Sequence, residues 1–523
     1  MEGATKQKYT LHKGEGAGRL KAVEMGENQM AEIPGQFASG SLKGLKASVE
    51  EADYERLFPK NRYISEEWLQ KEYDLLWPRV WQWACREEEI PNVGDFYEYR
   101  IGDQSFLIVR DEDLSLKAYY NTCMHRGTRL VEGAHEFGGP GTFNGNKAQF
   151  DGKITCVFHG WAYDLNGELC HLPGAKDFAK GMVRREEVCL RQVLVDSWGG
   201  FVFINMDLEA EPLLDYLRPV PDNLKDYGVG EMRLSRHYSM ILPCNWKYGI
   251  DQFQEGYHVW ATHVMDLNNV GAVSTGPGGR RVGEKKGNKY PPPDKIGAMT
   301  VYEQFDLHTN FWEPHWQLTT GLPPGVKLGE LGDQDYPSPR EWVRKAIETM
   351  VIQNRVAQYE LDYFDGLSEL PLEMEGPEFM VKNRVEACKS RGIDISHLKS
   401  EQMFGFPTEH RIFPNMLGPV AGNSYGLFRA RPNGDDPNSM IWDIYFMFRY
   451  GPGDEPEIHY EYIPDWQNYP RDRMPPSFMQ DFKTTPLFQK GMHSKGFPGH
   501  RYCVQEQNVI HTQKLLDQII GME

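Results

Sequence analysis

Short runs of apolar and aromatic residues dominate the first half of the chain and predict a compact all-β unit. FYEYRI, SFLIVR, LKAYYN, KITCVF and VFIN follow one another between residues 94 and 205, with Gly, Asp and Asn between them. Runs of four to eight such residues bounded by turn residues are typical of strands. We expect a separate β-rich domain over about 75–207.

Helical spacing appears on both sides of this unit. The run SEEWLQKEYDLLWPRVWQW, at 65–83, predicts a helix that breaks at Pro78. The chain closes on an amphipathic pattern near 503–520, which predicts a last helix. Between them, IWDIYFMFRY at 441–450 predicts a strand. We therefore expect an α+β protein with an N-terminal extension and leading helix at 1–74.

Composition and charge narrow the class of protein. The 523 residues suffice for several domains, and a net charge of −18 argues against nucleic acid or an acidic membrane surface as a partner. No run approaches the roughly 18–20 apolar residues of a membrane span, and the N-terminus has no apolar core of a secretory signal. The eight cysteines are too scattered for a disulfide framework, which favours a reduced, cytoplasmic protein.

One arrangement of Cys and His occurs twice in the β-rich unit. Cys123-Met-His125-Arg-Gly is followed by Cys156-Val-Phe-His159-Gly-Trp, with 30 residues between His125 and Cys156. A Cys₂His₂ zinc site normally pairs Cys with Cys and His with His along the sequence, whereas a Rieske [2Fe–2S] centre takes two Cys on one iron and two His on the other. The remaining alternative is four unrelated buried residues.

A second group of metal-ligand residues lies downstream. His258 and His263 stand five residues apart, with Glu255 three residues before the first. Five residues of a regular helix turn through about 500°, which leaves the rings roughly 140° apart, so they reach one metal only if the helix ends or distorts there. Two ordinary histidines on a polar face are the alternative to two ligands of a 2-His-1-carboxylate iron site.

Both groups resemble motifs of one family, the oxygenase (α) subunits of Rieske non-haem iron oxygenases, which includes ring-hydroxylating dioxygenases. The two Cys–His elements resemble its C-x-H-R-G and C-x-x-H-G-W-x-Y-x-x-x-G patterns, and WGGFVFIN at 198–205 is similar to the strand that closes its Rieske domain. The linker between the elements is about a dozen residues longer than usual. We expect the insert GGPGTFNGNKAQFD, near 138–151, to enlarge a surface loop beside the cluster.

The downstream group resembles the family pattern N-W-K-x-x-x-E-N-x-x-E-x-Y-H with a second His after it. Asp251 and Gln252 depart from this pattern by standing where Glu and Asn are usual. The residues that match in place are Asn245, Trp246, Lys247, Glu255, Tyr257, His258 and His263.

The resemblance implies that His258 and His263 hold a mononuclear Fe(II) together with a carboxylate on a late helix. In the run Glu506-Gln-Asn-Val-Ile-His-Thr-Gln, Glu506 takes the position of the family's Asp. Asp517 lies on the same helical stripe and is the reserve candidate. An exposed glutamate on an amphipathic helix is the alternative reading of Glu506.

The resemblance also implies the remaining parts of the system. A Rieske [2Fe–2S] domain would sit on a catalytic domain, at 208–523, whose antiparallel sheet is flanked by helices. Glu255 would link His159 of the partner subunit to His258, which requires a ring-shaped homo-oligomer, a homotrimer or a multiple of it. Electrons would come from a reduced pyridine nucleotide through a separate reductase or ferredoxin, since the chain has no G-x-G-x-x-G fingerprint.

The same family chemistry activates O₂ and ends in dihydroxylation, monohydroxylation or oxidative dealkylation. Aromatic residues suit an apolar, aromatic substrate, although ordinary core packing also explains them. Those in the Gly- and Pro-rich region 266–340 are Tyr302, Phe305, Phe311, Trp312 and Trp316. The rival from another class is a non-catalytic electron carrier or metal-stabilised binding protein, because Glu506 departs from the family's Asp.

Overall fold

The computed structural model describes most of the chain after residue 47. The described residues are 42, 47–145, 152–255, 257–258, 262, 298–300, 325–332, 336–352, 354–403, 409–470, 473–503 and 506–521. The part of the chain from Gly40 onward forms one compact unit, so the boundary at 207 stays a prediction. Within the described ranges, no helix has the length and apolar character needed to cross a membrane.

Ten short strands form the described part of the β-rich unit. They are β1 (Gln82–Arg86), β2 (Asp95–Ile101), β3 (Gln104–Arg110), β4 (Leu116–Tyr120), β5 (Gly138–Thr142), β6 (Ile154–Thr155), β7 (Ala162–Tyr163), β8 (Leu169–His171), β9 (Leu194–Trp198) and β10 (Phe201–Asn205). Their sheets have the strand orders β4-β3-β2-β5, β6-β7-β8 and β1-β10-β9, and every pair is antiparallel. The all-β prediction is confirmed.

The predicted insert is not a surface loop throughout, and this part of the prediction is wrong. Its first residues form β5, which pairs with β2 along the edge of a sheet. Gly138, at φ 110°, makes this approach possible, because a Cβ there would lie 2.2 Å from the carbonyl oxygen of Glu98. The rest of the insert includes residues 146–151, which lie outside the described residues.

The leading helix is shorter than the pattern predicts. Helix α1 (Glu66–Leu75) begins at Ser65, whose side chain accepts the N–H of Trp68. It ends before Pro78, as expected, but Gln82 and Trp83 then belong to strand β1 rather than to a continued helix. In β1 the backbone N–H and C=O groups of these residues bond to β10. A helix interrupted by Pro78 would leave some of these groups without partners.

A seven-stranded sheet forms the centre of the second half. Its strands are β11 (Met232–Leu242), β12 (Ala298–Thr300), β13 (Glu409–Ile412), β14 (Met416–Ala421), β15 (Ser424–Asn433), β16 (Asp436–Arg449) and β17 (His459–Tyr462). Their order is β12-β13-β14-β15-β16-β11-β17, and all pairs are antiparallel except β11 with β17. The strand predicted at 441–450 lies within β16, and the antiparallel expectation holds apart from the last strand.

Helices accompany this sheet, as the family resemblance implied. Those described after α1 are α2 (Leu213–Leu217), α3 (Val220–Asn223), α4 (Trp246–Asp251), α5 (Pro339–Ile352), α6 (Gln358–Asp365), α7 (Gly376–Ser390), α8 (Pro476–Met492) and α9 (Gln507–Ile520). Helix α4 packs on β15 and β16, and α8 reaches the same strands through ring contacts of Phe478 and Phe482. The predicted last helix is confirmed as α9. One face of the sheet therefore carries α4 and α8.

Candidate functional site

The two Cys–His elements are built as matching turns. The carbonyl of Cys123 accepts the N–H of Gly127, and that of Cys156 accepts the N–H of Gly160, each at 3.0 Å. Both glycines have positive φ, 75° and 73°, which only glycine adopts at little cost. The N–H of each Cys also donates, at 2.8 Å, to the residue five positions on. The shared sequence pattern therefore produces a shared backbone geometry.

These turns bring the four side chains together in two pairs. The Cys123 and Cys156 thiols are neighbours in the interior, and each residue is buried. Burial raises the pKa of the Cys123 thiol, and Cys156 acts in the same direction. The rings of His125 and His159 lie 4.7 Å apart between centroids, and His159 is exposed. Two adjacent thiols behind two adjacent imidazoles fit the donor set of a Rieske cluster.

Residues of the second element support the ligands of the first. The Trp161 ring stacks on His125 at 4.8 Å and 6°. The hydroxyl of Tyr163 lies 3.5 Å from Cys123 Sγ and accepts the N–H of Met124 at 3.1 Å. Trp161 and Tyr163 are part of the motif, but their contacts with the other element appear only in three dimensions.

Glu98 and Asn121 stabilise the loop after the first Cys–His element by accepting hydrogen bonds from its backbone. The sequence did not point to either residue. Asn121 Oδ1 accepts the N–H groups of Leu130 and Val131, and Glu98, fully buried, accepts the N–H of Gly133 at 2.6 Å. The signal that could have identified Glu98 was a carboxylate in the middle of the apolar strand FYEYRI.

The N-W-K motif anchors the helix that leads to the second group. Asn245 caps α4 by accepting the N–H of Lys247 at 3.1 Å. Glu72 of α1 accepts both the indole N–H of Trp246, at 2.7 Å, and the ammonium of Lys247, at 2.5 Å. Helix α4 ends at Asp251, so Glu255 and His258 follow the helix rather than lie on it. After His258 the backbone bonds again, from the N–H of Thr262 to the carbonyl of His258 at 2.9 Å, and the condition on the spacing of His258 and His263 stays a prediction because His263 lies outside the described residues.

The His258 ring lies between two carboxylates. Its Nδ1 is 2.6 Å from Glu255 Oε1, and Glu255 also accepts the backbone N–H groups of Tyr257 and His258. Its Nε2 is 3.7 Å from Asp481 Oδ1. Two donor atoms each about 2.1 Å from one metal ion lie at most about 4.2 Å apart, so Nε2 and Asp481 fit a shared ion. Glu255 holds the ring so that Nε2 points towards Asp481.

Asp481 is a second carboxylate beside His258 that the sequence did not point to. It lies on α8 and is 2% exposed, close in sequence to Phe478 and Phe482. A carboxylate within an apolar stretch of a buried helix was the signal that could have found it. Its position opposite His258 follows only from the packing of α8 beside α4.

The other predicted ligands are placed differently. Glu506 lies directly before α9, and its carboxylate accepts the N–H of Cys503 at 2.8 Å. Burial raises the pKa of Glu506, the nearby Glu255 acts in the same direction, and His258 opposes both. Asp517 pairs instead with Arg56 and Arg62, at 2.9 and 2.7 Å. His263 lies outside the described residues, as do Tyr302, Phe305, Phe311, Trp312 and Trp316.

Within the described ranges, no three His, Cys, Asp or Glu side chains already surround the position of one metal ion. For the second group, His258 and Asp481 form one part of a set whose other predicted imidazole lies outside those ranges. The donor types of both groups fit the expected irons.

Aromatic side chains form a wall beside the second group. Phe253, two residues before Glu255, stacks on Phe428 of β15 at 4.5 Å, and Phe478 of α8 meets Phe428 at 4.9 Å. Phe428 is buried, whereas Phe253 and Phe478 are partly exposed. An apolar surface therefore adjoins the His258 site.

Comparison with family models identifies two parts of the chain. Residues 80–187 match the model described as the Rieske [2Fe-2S] domain. Residues 229–522, more than half of the chain, match the ring hydroxylating alpha subunit (catalytic domain).

Curated relatives agree with these matches. The chain is 30% identical over 406 residues to the anthranilate 1,2-dioxygenase large subunit of Acinetobacter baylyi, which covers 75% of this chain and 81% of that protein. It is 28% identical to the biphenyl 2,3-dioxygenase subunit alpha of Rhodococcus jostii, over 42% of this chain and 48% of that one. It is also 28% identical to the carnitine monooxygenase oxygenase subunit of Escherichia coli, over 39% and 51% of the two chains.

Solved structures share the fold. The quaternary ammonium Rieske monooxygenase CntA with L-carnitine aligns at a TM-score of 0.52 and 16% identity, over 90% of this chain and 99% of that one. The same enzyme with an inhibitor gives 0.54 over 91% and 99%. The chain thus belongs to the ring-hydroxylating Rieske oxygenase alpha subunits, an oxidoreductase family whose cofactors are a Rieske [2Fe–2S] cluster and a mononuclear iron.

Proposed function

We propose that this protein is the terminal oxygenase component of a multicomponent system and hydroxylates an apolar, aromatic substrate with O₂. The observation that carries the proposal is that one chain holds both donor sets, the double Cys–His turn and the His258 ring between Glu255 and Asp481. Oxidative O- or N-dealkylation is the alternative outcome of the same machinery. A separate cytoplasmic reductase or ferredoxin is the proposed electron donor.

The cluster ligands in this proposal are two thiolates and two imidazoles. Cys123 and Cys156 hold one iron, and His125 and His159 hold the other. The bound groups supply one-electron transfer at the cluster and O₂ activation at the mononuclear iron. Tyr163 and Trp161 hold the first element in place through the Cys123 sulfur and the His125 ring.

The mononuclear iron takes His258 through Nε2, His263 and a carboxylate. We assign the carboxylate position to Asp481, because it lies 3.7 Å from His258 Nε2. Glu506 stays the alternative, since it is close enough to His258 and Glu255 for their charges to affect its pKa. Glu255 accepts a hydrogen bond from Nδ1–H of His258. This hydrogen bond fixes the tautomer of the ring and leaves the lone pair on Nε2.

The substrate surface is the aromatic wall. Phe253 and Phe478 are partly exposed beside the His258 site and rest on Phe428. Flat apolar rings of this kind bind and orient an aromatic body by stacking or edge-to-face contact. They also keep water away from the position where a substrate carbon would face the iron.

The electron route in this proposal crosses between subunits of a homotrimer or a multiple of it. His159 is exposed, and the two residues before it, Val157 and Phe158, are 70% and 57% exposed. Tyr257, beside His258, is also 57% exposed. Exposed apolar side chains therefore lie beside His159 and beside His258. They favour a contact between subunits in which Glu255 meets His159 of the partner subunit.

Changing Glu255 to Gln is expected to keep both metals but to slow electron transfer, because the amide replaces one of the two accepting oxygens with an NH2 group, which cannot accept from an imidazole N–H. Loss of a residue that hydrogen-bonds a ligand typically costs about 10–100-fold in metal affinity or activity. Rapid mixing of the pre-reduced protein with O₂ and substrate measures cluster reoxidation directly. The exposed variant Glu67→Gln, which alters only a surface pair with Lys71, is the matched control. Reoxidation at the parent rate in Glu255→Gln would refute the bridging role.

The proposed function itself is tested by metal content and oxygen consumption. Purified protein is expected to contain about three irons and two acid-labile sulfides per chain, from the ligand count of the two sites. With a surrogate reductase and reduced pyridine nucleotide, aromatic substrates should increase O₂ uptake and yield hydroxylated or dealkylated products. Two irons without O₂ uptake would instead identify an electron carrier, and zinc would exclude both.

A further inference from the structure

Arg411 is a buried guanidinium with an unusual set of partners. It lies on β13, and its Nη atoms contact the Thr512 hydroxyl and, at 3.1 Å, His511 Nδ1, both neutral acceptors on α9. Its Nε is buried and has no hydrogen-bond partner. Among the described residues, no carboxylate forms an ion pair with Arg411.

The other arginines buried to the same degree all have a carboxylate. Arg62, Arg86, Arg384, Arg411 and Arg429 are each 1% exposed. The four apart from Arg411 pair with Asp517 at 2.7 Å, Glu88 at 3.1 Å, Glu360 at 3.4 Å and Asp443 at 2.9 Å respectively. A buried charge is normally paired in this way because desolvation is costly. Arg411 is therefore the exception that needs a partner from elsewhere.

The neighbouring carboxylate of Asp251 is already engaged. It lies 2.5 Å from the Tyr63 hydroxyl and 3.0 Å from Gln254 Nε2. Burial lowers the pKa of Arg411 to about 10, which still leaves the guanidinium charged at neutral pH. The site thus keeps a full positive charge with one N–H unsatisfied.

The register of the sheet places Arg411 on the substrate side. Arg411 is opposite Leu417, and Leu417 is opposite Phe428, so the three side chains share one face of the sheet. Arg411 and Phe428 are two strands apart, about 10 Å. The Thr512 hydroxyl that contacts Arg411 also lies 3.2 Å from Gln254, the residue before Glu255. Arg411 is therefore close to both the aromatic wall and the segment that holds His258.

Resting on the proposed function, we propose that Arg411 binds the carboxylate of an aromatic acid whose ring lies against Phe253 and Phe478. The planar guanidinium fork matches a carboxylate in shape and charge, and Nε is the buried donor to which the protein supplies no acceptor. The substrate supplies the missing negative charge. Its carboxylate at Arg411 and its ring at the wall would orient it with respect to His258.

The test compares benzoate with its neutral counterpart benzamide, using calorimetric titration of the full-length protein with its cofactors. Benzoate is expected to bind at least roughly tenfold more tightly than benzamide, as a charge-assisted pair implies. Arg411→Gln should weaken benzoate binding about ten- to a hundredfold and leave benzamide unchanged. Arg411→Lys keeps the charge without the guanidinium fork. Its affinity for benzoate should lie between those of the parent protein and of Arg411→Gln. The exposed variant Arg391→Gln is the control for loss of an arginine charge.

A purely structural role would lower the melting temperature of the variants but leave the benzoate–benzamide difference intact, and that result overturns the proposal. Absence of benzoate binding to the parent protein at about 10 mM also overturns it. If Arg411→Gln does not fold, the parent protein and Arg411→Lys decide the question by the same comparison. Iron and the cluster spectrum are measured on the same samples. Failure of the oxygenase assignment appears there as missing metal, whereas failure of the Arg411 assignment appears as equal affinities in protein with full metal.

Discussion

Replacing Asp481 with Ala is expected to remove the mononuclear iron, lower turnover more than about a hundredfold and leave the cluster spectrum unchanged. The loss should exceed the 10–100-fold typical of a residue that only hydrogen-bonds a ligand, because a site left with two imidazoles binds Fe(II) poorly. The cluster should survive, since its donors come from the turns at Cys123 and Cys156 and not from α8. Iron per chain should fall from about three to about two.

Glu506→Ala is the matched comparison, because it removes the partly buried carboxylate near His258 that the sequence predicts as the ligand. Under our assignment it keeps the iron, and His258→Ala and His263→Ala both lose it. Iron retained in Asp481→Ala but lost in Glu506→Ala would reverse the assignment in favour of the residue that the sequence predicted. If both single variants keep the mononuclear iron, another carboxylate must be the ligand, and Asp517→Asn is the next variant to measure.

Cys123→Ser and His159→Ala are each expected to abolish the visible spectrum of the cluster. A hydroxyl is a hard ligand that does not replace a thiolate on iron, and the other variant removes one of the two imidazoles on the second iron. Substrate-dependent O₂ uptake should stop in both, because electrons no longer reach the mononuclear iron. Cys170→Ser, at an exposed cysteine, is the control and should keep the spectrum. An unchanged spectrum in purified Cys123→Ser would rule out these residues as ligands.

Local patterns predicted the elements that depend on neighbouring residues. The strand at β16 and the last helix follow from apolar periodicity, and the Cys–His turns follow from glycines that the backbone requires at positive φ. In each case the deciding interactions span few residues, so the sequence shows them directly.

The errors have a different origin. Gln82 and Trp83 keep a helical spacing of apolar residues, yet they form β1 because β10, more than a hundred residues later, supplies the hydrogen-bond partners. The insert at 138–151 begins with GGPGT, in which four of five residues are Gly or Pro, types depleted in strands. It nevertheless pairs with β2 as an edge strand, because glycine allows the close approach. Pairing over long sequence separations decided both segments.

The sequence by itself determined the family, because short motifs encode turns and ligand spacing within a few residues. The cluster ligands and the division into two domains stay predictions from the same motifs. Only the tertiary structure decided that Asp481 stands opposite His258 and that Arg411 forms no ion pair with a carboxylate of the described ranges. Asp481 is 223 residues from His258 along the chain, and Arg411 meets α9 about a hundred residues later. Such contacts depend on how α4, α8 and α9 are placed beside the sheet, which no local spacing records.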